Sequence, residues 1–194
     1  ILVIGGGDTG SDCVGTSVRQ KAASVTQIEI LPQPPIGSNP NTPWPSYPNV
    51  LKISSSHIEG CTRRWALTTK RFIGEKGKVA GVEIAEVEWS ACDGKMGMKE
   101  TGRTDVIQAD LVFLSMGFAQ PVHEGLLNEL GVEYDERGNV RSMEPNQTSI
   151  PKVFVAGDAT LGASLVVRAI VSGREAAKNI GKFLEKKKVV KKSK

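Results

Sequence analysis

Ile1-Leu-Val-Ile-Gly-Gly-Gly-Asp-Thr-Gly10 opens the chain, and the reading of this stretch decides the fold. Four apolar residues form a buried strand, after which Gly5, Gly7 and Gly10 stand at the G-x-G-x-x-G spacing of a strand that turns into a helix. Each glycine has its own task. The first permits the bend, the second lets backbone approach a pyrophosphate, and the third lets the helix lie against the strand. The first N–H groups of the helix, at Asp8, Thr9 and Gly10, are free to hold phosphate, aided by the helix dipole. Cys13, Val14, Ser17 and Val18 continue a helical pattern, and Val25-Thr-Gln-Ile-Glu-Ile30 reads as a second strand. Together these make a complete βαβ unit, whose chemistry is dinucleotide binding.

Working outward, Glu29 lies 19 residues beyond Gly10, where an acid accepts hydrogen bonds from a ribose 2′-hydroxyl and repels a 2′-phosphate. No Lys or Arg stands between Lys21 and Lys52, which leans the reading toward NADH over NADPH unless Arg63 or Arg64 folds back. Residues 32–48 hold seven of the ten prolines, which excludes helix and central strand. The expectation is a long ordered loop anchored by Trp44 and Tyr47, beside the adenosine ribose. Ser54-Ser-Ser-His-Ile58 reads as a capped helical turn, with His57 structural and not a general base.

Strand patterns follow: Leu67 to Ile73, a turn at Glu75-Lys-Gly77, then Val79, Val82, Ile84, Val87 and Trp89 at mostly alternating positions. Residues 90–104 are expected to be a mobile connection, and Val106-Ile107 a short third strand of a meander. Asp110-Leu-Val-Phe-Leu114 reads as a buried strand ending at Ser115-Met-Gly117. Beyond it, Pro121 to Leu130 carries a helical pattern stopped at Gly131, and residues 132–140 a hairpin turning at Glu136-Arg-Gly138. Lys152 to Asp158 reads as a second buried strand delivered to a glycine and an aspartate. Ala163 to Leu184 is expected to be a helix whose apolar face holds Leu165, Val166, Ala169, Ile170, Ala176, Ala177 and Ile180.

Composition excludes several function classes. The net charge of +4 belongs to residues 182–194, where seven lysines face one acid; residues 1–181 sum to −2. The basicity is therefore that of a tail, and with one aromatic nearby, Phe183, it offers no platform for nucleic acid. No apolar run approaches the roughly 18 residues of a membrane span. Cys13, Cys61 and Cys92 match neither a disulfide framework nor a metal site, which points to the cytoplasm. A chain that opens inside a core strand without Met is expected to be a piece of something longer.

Several stretches together resemble the small (beta) subunit of glutamate synthase: Gly5 to Cys13, Gln33-Pro-Pro35, Thr42-Pro-Trp-Pro45, Glu86-Val-Glu-Trp89, Ala109-Asp-Leu-Val112 with Met116-Gly-Phe118, and Val155-Ala-Gly-Asp158 with Ser164-Leu-Val-Val167. The resemblance covers residues 1 to about 184. It implies an α/β architecture: a Rossmann-like three-layer ββα NAD(P)H-binding domain at residues 1–115, inserted into an FAD-binding domain whose C-terminal return is residues 116–184. Residues 185–194 are left as a basic disordered tail. Cofactor contacts are expected at Gly5, Gly7, Asp8, Thr9, Gly10 and Glu29 for NADPH or NADH, and Gly117 is a further expected cofactor contact. For FAD they are expected at Gly157, Asp158 (ribityl chain), Ser164, Leu165 and Val166 (ring).

The resemblance further implies iron–sulfur clusters in an N-terminal region outside this sequence, and a large subunit as partner that makes glutamate from 2-oxoglutarate and glutamine. Half of an FAD site is expected to hold little or no FAD by itself. Ile36-Gly37 stands where many relatives carry arginine, which leaves the choice of nicotinamide cofactor open. Two alternatives remain. One is a related flavoprotein with another acceptor, like dihydropyrimidine dehydrogenase or a ferredoxin–NAD(P) oxidoreductase; the other is a non-catalytic nucleotide-binding fragment. No side chain is assigned as catalytic acid, base or metal ligand.

Overall fold

The fold is described from a computed structural model, which covers residues 1–43, 49–92, 95–143 and 145–192. The chain divides into two units, Ile1–Gly117 and Phe118–Lys194.

In the first unit, strand β1 (Leu2–Ile4) leads into helix α1 (Asp8–Arg19) and then strand β2 (Thr26–Ile28). A five-residue helix α2 (Ser55–Glu59) and a short strand β3 (Thr62–Arg64) follow. Three long strands come next, β4 (Leu67–Glu75), β5 (Lys78–Cys92) and β6 (Lys95–Gln108), and the unit closes with β7 (Val112–Leu114). A parallel sheet has the order β3-β2-β1-β7, while β4-β5-β6 form an antiparallel sheet.

The strictly alternating side chains of β1 explain the layering. Leu2 and Ile4 pack with Ile28, Leu67, Val82, Ile84 and Ala109 between the two sheets. Val3 points the other way, against Val14 of α1 and Val25. One three-residue strand thus joins both cores, and the outcome is the expected three-layer ββα sandwich. Burial of each such side chain contributes roughly 1.5–3 kcal/mol.

One sequence expectation fails here, and one strand was missed. Residues 90–104 are not a mobile connection: β5 runs to Cys92 and β6 starts at Lys95, paired in register from Cys92↔Lys95 to Gly81↔Gln108. Polar residues hid these strands, because both faces of this end of the hairpin lack the apolar alternation of a half-buried strand. Strand β3 was not anticipated either. Thr62-Arg-Arg64 has no apolar alternation and gains its conformation from pairing with β2, in register Gln27↔Arg63. Trp44 and Tyr47, the expected anchors of the proline-rich loop, lie outside the described residues. The rest of that loop is ordered by hydrogen bonds from Leu51 N–H to the Pro35 carbonyl and from Asn39 Nδ2 to the Asn49 carbonyl, both 2.8 Å.

In the second unit, α3 is confined to Leu126–Leu130 and stops at Gly131, whose φ of 68° is left-handed. The helical pattern from Pro121 is cut short by Gly125 at φ 85°. The expected hairpin survives as a single bridge, Tyr134↔Val140. The expected strand at residues 152–158 is likewise one bridge, Gln147↔Phe154, since extended backbone there has a pairing partner on that side alone among the described residues. Helices α4 (Asp158–Leu161) and α5 (Val166–Lys192) complete the unit around a core of Val132, Val140 and Val155.

Helix α5 corrects two further expectations. It continues to Lys192, through the segment read as a disordered tail, because lysine and glutamate are good helix formers and lysines suit a helix C-terminus. Of the apolar face named from spacing, Ala176 is buried while Leu165, Val166 and Ile170 are exposed. Among the described residues no helix is long and apolar enough to cross a membrane.

Candidate functional site

The glycine turn sits at the C-terminal end of the parallel sheet, where strand ends leave a crevice. Its glycines behave as three different objects. Gly5 has φ 121°, and a Cβ there would collide with the Ser115 carbonyl at the end of β7. A Cβ on Gly10 would collide with the Gly5 carbonyl, so this glycine is what lets α1 close on β1. Gly7 is the N-cap of α1 in extended conformation, and a Cβ there would meet no atom within 4 Å. The space beyond Gly7 belongs to a cavity of about 760 Å³ lined by Gly5, Gly6, Gly7, Glu29, Thr68, Met116 and Gly117. Asp8 and Thr9, the first residues of α1, are exposed beside it. Of the first-unit residues expected from sequence, Gly5, Gly7, Glu29 and Gly117 share this cavity, with Asp8, Thr9 and Gly10 following Gly7 in the first turn of α1.

A second cavity of about 240 Å³ shares Gly6, Gly7 and Glu29 and adds Asp8, Pro34, Lys52, His57 and Arg63. The proline-rich loop thus walls this site through Pro34. Arg63 is the residue that sequence reasoning left unassigned, and it decides the electrostatics. Its Nη2 donates to Glu29 Oε1 at 3.0 Å and its Nη1 to the Lys52 carbonyl at 2.8 Å. The guanidinium lies 5.0 Å from the centre of the Trp65 ring. The side chains of the pair are 13% and 18% exposed, so the carboxylate of Glu29 is largely neutralised in place. Arg63 Nε is buried with no hydrogen-bond partner among the described residues. The register of β3 on β2 was the missing signal, and spacing alone does not carry it.

His57 is structural, as expected, though more tightly bound than a solvated histidine. It completes a capping box with Ser54, its Nδ1 accepting from the Ser54 N–H at 3.1 Å. Burial, seconded by Arg63 and opposed by Glu29, lowers its pKa from 6.5. Burial pushes the Cys61 thiol up, which disfavours the reactive thiolate.

The expected flavin contacts lie in the second unit. Gly157 has φ 64° and its N–H donates to Ser172 Oγ at 3.0 Å. Asp158 is exposed at the head of α4, and Ser164, Leu165 and Val166 are exposed at the start of α5. A cavity of about 850 Å³ lined by Thr160, Ser164, Val167 and Arg168 runs along the same helix.

Residues 59–174 match the family model described as pyridine nucleotide-disulphide oxidoreductase, more than half of the chain. The glutamate synthase [NADPH] small chain of Mycobacterium tuberculosis is 46% identical over 184 residues, covering 95% of this chain and 37% of that protein. The glutamate synthase [NADH] of Saccharomyces cerevisiae is 38% identical over 95% of this chain and 9% of its own length. The chain thus spans little more than a third of the first of these relatives. Among solved structures, T. acidophilum thioredoxin reductase aligns with TM-score 0.59 and 25% identity, over 91% of this chain and 49% of that one. Mycobacterium tuberculosis FprA in complex with NADPH aligns with TM-score 0.69 and 13% identity, over 96% and 53%, a likeness of fold.

Proposed function

This chain belongs to the pyridine nucleotide-disulphide oxidoreductase family, and from that premise we propose that it is part of the electron-input arm of a glutamate synthase. Residues 1–115 are read as its NAD(P)H-binding domain and residues 116–184 as the return of its FAD-binding domain. In the whole protein, electrons from NAD(P)H would reach a large subunit through FAD and iron–sulfur clusters. The observation that carries this reading is the open cavity beyond Gly7, at a helix N-terminus whose other glycines are sterically committed.

When bound, the nicotinamide cofactor supplies a hydride and the flavin accepts it; the protein supplies position and electrostatics. Asp8, Thr9 and Gly10 present backbone N–H groups to the pyrophosphate, while Gly7 removes the Cβ that would hold it off. Gly117 and Met116 border the same cavity. Asp158 would hold hydroxyls of the flavin's ribityl chain, and residues 164–166 would face its ring with backbone.

Arg63 changes the expected cofactor preference. With Glu29 paired to it, a 2′-phosphate is no longer repelled by an uncompensated carboxylate, and Lys52 lines the same cavity, which also carries Asp8. NADPH is therefore assigned as the tighter ligand, against the lean toward NADH from Glu29 alone. Calorimetric titration of the chain with each cofactor tests both statements. Saturable binding of either, with NADPH tighter and its advantage lost in Arg63→Ala, is the expected result. Absence of heat with both cofactors refutes the dinucleotide site, and an NADH advantage in the wild type refutes the role of Arg63.

A further inference from the structure

Gln27 is fully buried in the middle of the parallel sheet, a costly place for an amide unless both its ends are bonded. Both are. Its Nε2 donates to the Gly5 carbonyl at 2.9 Å, and its Oε1 lies 2.9 Å from His57 Nε2. These contacts fix the orientation of the Gln27 amide and the proton on the His57 ring. A carbonyl can accept only, so the NH2 end of Gln27 must face Gly5, and its oxygen must face His57. His57 Nε2 therefore carries the proton and Nδ1 is bare, as the Ser54 N–H it accepts requires. Ser54 Oγ in turn accepts the His57 N–H at 3.3 Å and meets Ser11 Oγ of α1. Hydrogen bonds thus run without a break from α1 through α2 and the sheet to the glycine turn.

We propose that Ser54, His57 and Gln27 form a positioning relay that aims the Gly6 N–H at the dinucleotide pyrophosphate, and that it holds while His57 is neutral. The inference rests on the dinucleotide reading above. A trans peptide is planar, with its C=O and N–H pointing in opposite directions. Anchoring the Gly5 carbonyl inward on Gln27 thereby turns the Gly6 N–H outward, toward the cavity that Gly6 and Gly7 line. Protonation of His57 would set an Nδ1–H against the Ser54 N–H, donor against donor, so that the capping bond from Ser54 N–H is lost and the ring turns toward Ser54 Oγ, 3.1 Å from Nδ1. The charged groups on the same cavity are Arg63 from β3, Glu29 after β2, Lys52 and Asp8. Burial and Arg63 favour the neutral ring and Glu29 opposes them, so the relay is intact above pH 6.5 and lost as pH falls through the lowered pKa.

The test is nuclear magnetic resonance and NADH titration of the full 194-residue chain across roughly pH 7.5 to 5. NADH is used because it has no 2′-phosphate that would titrate in the same range. The expected result is an Nε2–H tautomer for His57 and amide shifts of Gly5, Gly6 and Gly7 that follow its titration. The dissociation constant should rise about fivefold on the acid side, the change that one hydrogen bond of ordinary strength corresponds to. In Gln27→Leu the glycine shifts should no longer follow His57. His57→Gln keeps a capping residue at this position but cannot span Ser54 and Gln27, and it should bind NADH about fivefold more weakly, with no further loss at low pH. An Nδ1–H tautomer, or glycine amides indifferent to His57, overturns the relay. Coupled shifts without NADH binding at any pH uphold the relay and overturn the ligand reading alone.

Discussion

Gly7 and Gly10 stand three residues apart and answer to opposite constraints. Gly10 is pressed on the Gly5 carbonyl, with Gln27 Nε2 close by, so any side chain there must part α1 from β1. Gly7 presses on nothing in the protein, and its φ of −79° suits any residue. Gly7→Val is therefore expected to fold, at a cost of about 1 kcal/mol for the altered N-cap, while abolishing detectable NADPH binding. Gly10→Val is expected to lose the first unit's cooperative thermal transition itself. Circular dichroism melts beside calorimetry check the pair, and equal losses of stability in both would show that Gly7 is a packing glycine. This part of the site was legible because the constraint is steric and local, written in the spacing of the glycines. Arg63 was not legible. Its meaning comes from lying beside Gln27 on a neighbouring strand, 36 positions away in sequence, and nothing in Thr62-Arg-Arg64 announces a strand.

Elements show the same division between what spacing carries and what packing decides. The apolar periodicity of residues 163–184 correctly signalled a helix, yet Val166 and Ile170 are exposed and the side facing the unit's core carries Ser172 and Ala176. A periodic stripe marks a face that is able to be covered; which face packs depends on what lies opposite. Here the opposite surface is the Gly157 turn, whose N–H is bonded to the buried Ser172 Oγ and whose backbone lies close to Ala169. Ser172 is thus the joint between the α5 helix and the turn that presents Asp158. Ser172→Ala leaves that N–H without a partner and is expected to destabilise the second unit by about 1–3 kcal/mol, while Ser172→Thr retains the oxygen and much of the stability. Urea unfolding followed by the quench of an introduced fluorophore near Asp158 measures this. An unchanged midpoint in Ser172→Ala would mean that water satisfies the turn.

At the scale of the whole molecule the decisive fact is that the two units own separate cores. Leu2, Ile4, Ile28 and their neighbours lie within residues 1–117, and so do Val3, Val14 and Val25. Val132, Val140 and Val155 lie within residues 118–194. Cores that share no residue have no reason to melt together unless their interface is large and apolar. Calorimetric melting of the chain is therefore expected to show two transitions. If NADPH binds the first unit as proposed, it should stabilise one of them by about 2.7 kcal/mol at a hundredfold excess over its dissociation constant, and leave the other in place. Ser172→Ala should move the complementary transition and spare the NADPH-sensitive one. A single transition that both perturbations shift would overturn the division into a dinucleotide domain and a flavin-domain return. It would assign the NADPH site to the chain as one cooperative body.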